Sequence, residues 1–385
     1  MKWTKKGHQF DEIAEKFNGK KKIYIYGAGQ KGAELCRYIS FIGIDGFIDQ
    51  NSDKQKNGYM GYPVFSFEAL LTFPKDHIVI VAATELRSTS MLQKLIMAGY
   101  QECVDCFTYQ RFVDWYLPIY AVYEKDMVYI PSVSCITTTV CNLKCKHCLN
   151  FTIYNSHKKH ASLEQLKANA DALFNVADFV GKFHISGGEP QLFPYLADFI
   201  DYVGSKYRKQ IADLVLVTNG TIVPDDSLCQ IITKHNVFVE LDDYTGTLGG
   251  QEILSEVQEK LQKYNIKYVV LEAGIWIDLA PMETDNSNMS EKQMIDYFDA
   301  CGVPYSQLID ESITSCNYES FAHTAGLIGR DENNYFNLRR FKPEQKKELI
   351  EFRMGYTEKG YVDFCRRCAG FATINPNKVK AAQQA

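Results

Sequence analysis

Little in this sequence points to a membrane or to a nucleic acid. Its longest apolar stretches, such as Ile78 to Ala83, are strand-sized and far too short to span a bilayer. The basic start, Met1-Lys-Trp-Thr-Lys-Lys6, leads into no apolar run, so no signal peptide is expected and a cytoplasmic location is. Positive charge forms no run beyond Lys20–Lys22 and the net charge is −5, which leaves a nucleic-acid partner without electrostatic support. Internal repeats and low-complexity segments are absent. With 46% hydrophobic and 23% charged residues, the chain has the balance of a globular protein rather than a disordered one. Its 385 residues exceed one ordinary domain. Cysteine, by contrast, is plentiful at 12 residues. In a reducing compartment these thiols are metal ligands, catalytic groups or packing residues before they are disulfides.

The order of apolar runs predicts an α/β chain. Lys22-Ile-Tyr-Ile-Tyr26 is β-prone and feeds Gly27-Ala-Gly29-Gln-Lys-Gly32, then a helical stretch to about Ser40. Gly46–Asp49 and His77–Ala82 read as further strands, with a helix around Ser90–Ala98. We expect a small parallel-sheet domain over 1–110, a Tyr- and Trp-rich packed connector over 111–131, and a second α/β run over 132–290. In that run Ser162-Leu-Glu-Gln165 has the pattern of a capping box. The spacing predicts strands at Phe183–Ser186, Leu214–Val217, Val237–Leu241 and Ile266–Leu271. Helices are predicted at Tyr195–Lys206, Asp226–His235 and Gly250–Tyr264. Such repeated βα units suggest a parallel barrel or partial barrel. Regularity fades after Ser290, leaving 291–385 as a cysteine-bearing extension that ends in a polar tail.

Cys141-Asn-Leu-Lys-Cys145-Lys-His-Cys148 places three thiols on one short loop. Thiolate-rich ligation selects zinc or an iron–sulfur cluster. Structural zinc wants a closed set of four ligands. That alternative would recruit His147, which is wedged between two ligands. Three ligands on a four-iron cluster instead leave one iron open to a small molecule. The CxxxCxxC spacing, with the aromatic His147 before the last cysteine, resembles the signature of the radical S-adenosylmethionine (SAM) superfamily. Thr137-Thr-Thr-Val140 before it is also similar. So are Ser186-Gly187-Gly188-Glu189-Pro190 and Val217-Thr218-Asn219-Gly220, each at the end of a predicted strand. The resemblance covers roughly residues 132–275.

The resemblance implies a partial (β/α) radical SAM barrel and reductive cleavage of S-adenosylmethionine to methionine and a 5′-deoxyadenosyl radical, which abstracts hydrogen from a substrate. It implies a 4Fe–4S cluster on Cys141, Cys145 and Cys148, and a low-potential electron donor such as flavodoxin or ferredoxin. Gly187 and Gly188, lacking Cβ atoms, would let the backbone approach the methionine end. Glu189 would accept a hydrogen bond from the cofactor's ammonium, a contact of ~1.5–3 kcal/mol. Pro190, Thr218, Asn219 and His147 would complete the cofactor-binding residues, Asn219 near the ribose or carboxylate and His147 packed beside the cluster. No catalytic acid or base is identified, and Asp242, Asp243 and Tyr244 at a strand end are the nearest candidates.

Cys301, Cys316, Cys365 and Cys368 suffice for a second, fully ligated cluster. The pattern is similar to the SPASM and twitch extensions of that superfamily. It departs from them in having one cysteine set and no glycine four residues before Cys316. Zinc is the alternative. Cys36, Cys135 and Cys229 read as packing residues, and the Cys103/Cys106 pair as incidental.

Gly27, Gly29 and Gly32 between a strand and a helix, with Asp49 following, fit the context of a dinucleotide fingerprint. The segment resembles small Rossmann-like domains attached to sugar-modifying enzymes, which implies a nucleotide-linked ligand. Three functions follow as alternatives. The first is an enzyme that dehydrogenates, dehydrates or epimerises a sugar or nucleotide-sugar in polysaccharide biosynthesis. The second is a peptide-modifying maturase, and the third a redox or sensor protein that holds clusters without turnover.

Overall fold

Strands of buried Val and Ile alternate with amphipathic helices through most of the chain, and each alternation adds a parallel strand to a sheet. The computed structural model describes residues 2–302 and 306–385. It divides into two units, 7–131 and Met1–Lys6 with Ser132–Ala385.

In the first unit β1 (Lys22–Tyr26), β2 (Gly46–Ile48), β3 (Val64–Phe65), β4 (His77–Val81) and β5 (Cys106–Thr108) pair in the order β3-β2-β1-β4-β5, all parallel. Every residue of β4 is buried, which is why it is an unbroken apolar run rather than an alternating one. Helices Gln30–Tyr38 and Glu85–Met97 follow β1 and β4. Strand order reverses between these two strands, and an open α/β sheet has its binding crevice at such a point. Segment 111–131 belongs to this unit. Its helix Leu117–Glu124 buries Tyr120 edge-on against Phe17, ring centroids 5.2 Å apart. Cys103 and Cys106 are free thiols.

The second unit holds an eight-stranded sheet. β6 (Tyr129–Thr138), β7 (Phe179–Gly187), β8 (Ile211–Thr218), β9 (Phe238–Asp243) and β10 (Tyr268–Glu272) lie in sequence order. Helices Leu163–Phe174, Leu196–Tyr207, Asp226–Lys234 and Gln251–Lys263 connect them. This is a partial (β/α) barrel. Ser162 accepts from Gln165 N–H at 3.1 Å, but the other arm of the expected capping box is not made, because Gln165 turns its amide to Asn169. A full box opens the helix Glu291–Cys301, where Ser290 and Gln293 cap each other.

Beyond Ser290 the chain is more ordered than its composition suggests. After β11 (Ile275–Ile277) come β12 (Ser306–Ile309), β13 (Ser312–Thr314) and β14 (Tyr335–Asn337). β12 pairs parallel to β6, on the side away from β7, and β12 and β13 form a hairpin. The turn residues Asp310 and Glu311 both have positive φ (49° and 53°), the geometry that matches strand twist in a two-residue turn. β15 (Lys378–Lys380) pairs antiparallel with β11. Among the described residues no helix is long and apolar enough to cross a membrane.

Candidate active site

The three loop thiols stand just past the end of β6. Each sulfur has a donor from the chain: Leu143 N–H to Cys141 Sγ (3.4 Å), Gln384 Nε2 to Cys145 Sγ (3.4 Å) and Thr152 Oγ1 to Cys148 Sγ (3.1 Å). Burial, and then the neighbouring Cys148, Glu189 and Cys145, push the Cys141 thiol up to about 11. Cys145 is raised by burial as well. Three thiols on one loop that already receive hydrogen bonds at sulfur suit a cationic centre that displaces their protons. Three thiols and no fourth ligand on the loop fit a four-iron cluster, which takes thiolates on separate irons, better than the closed four-ligand set of structural zinc.

The glycines at the end of β7 have a packing role within the chain itself. A Cβ on Gly187 would stand 2.6 Å from Thr138 O, and one on Gly188 would stand 2.3 Å from Val140 O. Gly188 N–H donates to Thr138 O (2.7 Å) and Glu189 N–H to Val140 O (2.9 Å). Glycine is thus required where the turn after β7 presses on the root of the cysteine loop. Asn150 Nδ2 closes the same contact by donating to Gly187 O at 2.7 Å.

Glu189 is fully buried. Its Oε1 accepts from Thr218 Oγ1 (2.8 Å) and Gln191 N–H (3.0 Å), and its Oε2 from Asn219 N–H (2.9 Å). Burial raises this carboxyl, against the lowering effect of those donors. The residue braces β7 to β8, and Pro190 beside it starts a short 3-10 turn. Asn219 Nδ2 donates to Asn142 Oδ1 at 2.9 Å, tying the end of β8 to the cysteine loop. His147 Nδ1 pairs with Asp278 Oδ2 at 2.8 Å, so this ring is oriented by the residue that follows β11. At the end of β9, Tyr244 OH donates to Asp242 Oδ2 at 3.1 Å. Burial holds Asp242 up to about 6. Tyr244 is raised by burial first and by Asp242 after it. Trp276 of β11 packs edge-on against Tyr244 at 5.3 Å.

Residues 135–244 match the radical SAM superfamily model. The match takes in the cysteine loop and the turns after β7 and β8. That superfamily uses a 4Fe–4S cluster and S-adenosylmethionine. The chain is 37% identical over 92 residues (23% of this chain, 18% of the relative) to the antilisterial bacteriocin subtilosin biosynthesis protein AlbA of Bacillus subtilis. It is 29% identical over 89 residues (22% and 24%) to GTP 3′,8-cyclase 1 of Mycobacterium tuberculosis. It thus spans about a fifth of the length of these curated relatives. BtrN in complex with AdoMet and 2-DOIA is similar at TM-score 0.42 and 16% identity, over 66% of this chain and 98% of that one. Native anSMEcpe with bound AdoMet and Cp18Cys peptide gives 0.41 and 16%, over 64% and 93%.

The matched residues are followed by the four remaining candidate ligands, which the fold brings together. Cys316, Cys365 and Cys368 share one apolar cluster with Phe151, Phe298 and Phe364. Cys301 is also buried, and its Sγ accepts from Phe371 N–H at 3.2 Å, as Cys368 Sγ does from Gly370 N–H at 3.3 Å. Burial pushes Cys316 and Cys365 far up and Cys368 up to about 12, with Cys301 among the neighbours that add to each. Asn286 Nδ2 bridges the carbonyls of Cys365 and Cys368 (2.9 and 3.0 Å). Cys36, Cys135 and Cys229 are buried packing residues.

In the first unit the three glycines divide their tasks. A Cβ on Gly27 would meet Ala82 O at 2.4 Å and one on Gly32 would meet Gly27 O at 2.0 Å, so both are needed for the turn and the helix packing. Gly29 has open space around it, as a glycine approached by a ligand would. A cavity of about 890 Å³ lies there, lined by Gly27, Gly29, Asp49, Lys31, Arg87 and Lys94 among others. Asp49, however, spends Oδ2 on Ala28 N–H (2.8 Å) and Oδ1 on Asn51 N–H (2.9 Å). Sequence reasoning missed Asn142, Asn150, Thr152, Asp278, Trp276 and Gln384. The first three lie in or beside the cysteine loop, but nothing local marks the last three.

Proposed function

We propose that this chain reductively cleaves S-adenosylmethionine at a 4Fe–4S cluster held by Cys141, Cys145 and Cys148, and abstracts hydrogen from a substrate. The observation that carries this is the fastening of the cysteine loop to the adjoining strand ends, through Gly188 against Val140, Glu189 against Thr218 and Asn219, and Asn219 against Asn142. When bound, the cluster supplies one electron that splits the S–C5′ bond into methionine and a 5′-deoxyadenosyl radical. Glu189 uses three of its about four acceptor positions within the chain. The remaining one suits the cofactor's ammonium. Asp242, half-protonated near pH 6, is the group best suited to hold or move a proton next to the substrate.

For the substrate we favour a sugar or nucleotide-sugar. The open glycine and basic rim of the cavity in residues 7–131 suit a diphosphate-linked ligand. A second reading, a peptide substrate, is supported by the match to a bacteriocin biosynthesis protein. The four C-terminal cysteines would hold an auxiliary cluster, with a low-potential flavodoxin or ferredoxin as donor. The test is anaerobic reconstitution and turnover with nucleotide sugars and with short peptides, read by mass spectrometry. Products shifted by two hydrogens or one water from a nucleotide sugar support the first reading, and modified peptide alone would replace it with the second.

A further inference from the structure

The residues after β15 lie along the cysteine loop. Ala381 and Ala382 are fully buried, and beyond them the chain pairs with residues 144–146. Lys146 N–H donates to Gln383 O (2.8 Å) and Ala385 N–H to Lys144 O (2.8 Å). The Gln384 side chain works at both ends. Its Oε1 accepts Lys144 N–H at 2.7 Å, and its Nε2 donates to Cys145 Sγ at 3.4 Å and to Ala382 O at 2.7 Å. The amide has one workable orientation. Turned over, it would set NH₂ against the Lys144 donor and its oxygen against both Sγ and the Ala382 carbonyl. The strand that anchors this stretch also serves the loop's other side, because β11 pairs with β15 and is followed by Asp278, the partner of His147.

We infer that Gln384 is a positioning residue for the cluster, whose N–H on the Cys145 sulfur raises the cluster's reduction potential. The inference rests on the reading that this loop holds an iron–sulfur cluster. A donor at a ligand sulfur stabilises the more negative, reduced state more than the oxidised one, and such hydrogen bonds are among the factors that set cluster potentials. The chemistry it serves is electron uptake before S-adenosylmethionine cleavage, so the effect falls on potential before it falls on rate.

The test is a redox titration of the reconstituted full chain followed by electron paramagnetic resonance. The signal that S-adenosylmethionine perturbs identifies the loop's cluster. Gln384→Met, which fills similar space without a donor, should move its midpoint to more negative potential. Gln384→Glu, which adds a charge, should move it further in the same direction. Equal midpoints in all three proteins overturn the inference. Pulsed resonance on wild type labelled with ¹⁵N at the glutamine side-chain amide gives a check that needs no variant. A weak nitrogen coupling on that signal is expected, and its absence counts against the inference. A wild type with no S-adenosylmethionine-responsive signal would instead overturn the functional reading beneath it.

Discussion

The two cysteine sets of this chain differ in what surrounds their sulfur. Cys141, Cys145 and Cys148 share a loop at the end of β6, held by Asn, Thr, Gln and backbone donors, and Cys141 and Cys148 remain partly exposed. Cys301, Cys316 and the Cys365/Cys368 pair come from three separate segments and are all buried, three of the four inside an aromatic cluster. On the proposed reading the first arrangement would leave room for a small molecule at an incomplete ligand set, and the second would close a complete set away from solvent. The difference teaches that thiol count and spacing state how many ligands there are, while the polarity of the setting states whether a site exchanges ligands or only holds its metal.

Removing the thiols should separate the sets most sharply. Replacing Cys316 and Cys365 by Ala removes packing atoms from a buried core as well as two ligands. It should lower thermal stability strongly, whereas Ala at Cys141, Cys145 and Cys148 should leave the melting temperature nearly unchanged. Wild type should carry about eight irons per chain and the loop variant about four, as two four-iron clusters require. Stoichiometric zinc in the C-terminal set would turn it into a structural zinc site.

The next effect concerns the contact that shapes the open set. Gly188→Ala must push back Val140 O or the loop, since its Cβ would lie 2.3 Å from that backbone atom. We expect iron loading of the loop to fall while the C-terminal set keeps its metal. Equal loss from both would mean a general unfolding. Glu189→Ala should weaken S-adenosylmethionine binding by ~10-fold or more, the equivalent of one charge-assisted hydrogen bond of ~1.5–3 kcal/mol. Unchanged affinity would leave Glu189 as a brace between β7 and β8 only.

The smallest effect is one of pH. Burial raises Asp242 from 3.8 to about 6, so the folded state binds more protons than the unfolded state between those values. Stability should therefore fall as pH rises from about 4 to about 6. Asp242→Asn should flatten that part of a denaturation profile, and an unaltered slope would show that another carboxyl is responsible.

Much of the barrel was legible because its strands and helices are long and periodic. The predicted helix Asp226–His235 ends one residue beyond the observed Asp226–Lys234, and Gly250–Tyr264 exceeds Gln251–Lys263 by one residue at each end. β12, β13 and β15 were not legible, because they span four, three and three residues, and β12 and β15 also pair with strands far along the chain. The box at Ser290 and Gln293 was legible in principle, as the same pattern was noticed at Ser162. The loop cysteines and the turn after β7 could be found from local spacing. The brace formed by Glu189 and the Gln384 contact could not, since nothing near either residue names its partners. Asp49 shows the opposite case, where a motif acid at the expected place is occupied by Ala28 and Asn51 backbone.

The measurement that bears most directly on the central claim is 5′-deoxyadenosine formation by reduced, anaerobically reconstituted protein, compared with the variant carrying Ala at Cys141, Cys145 and Cys148. Wild type should release 5′-deoxyadenosine and methionine in equal amounts and the variant neither, with both proteins folded alike. Release by the variant at the wild-type rate, or none from a wild type loaded with iron, would contradict the assignment of cofactor cleavage to this loop.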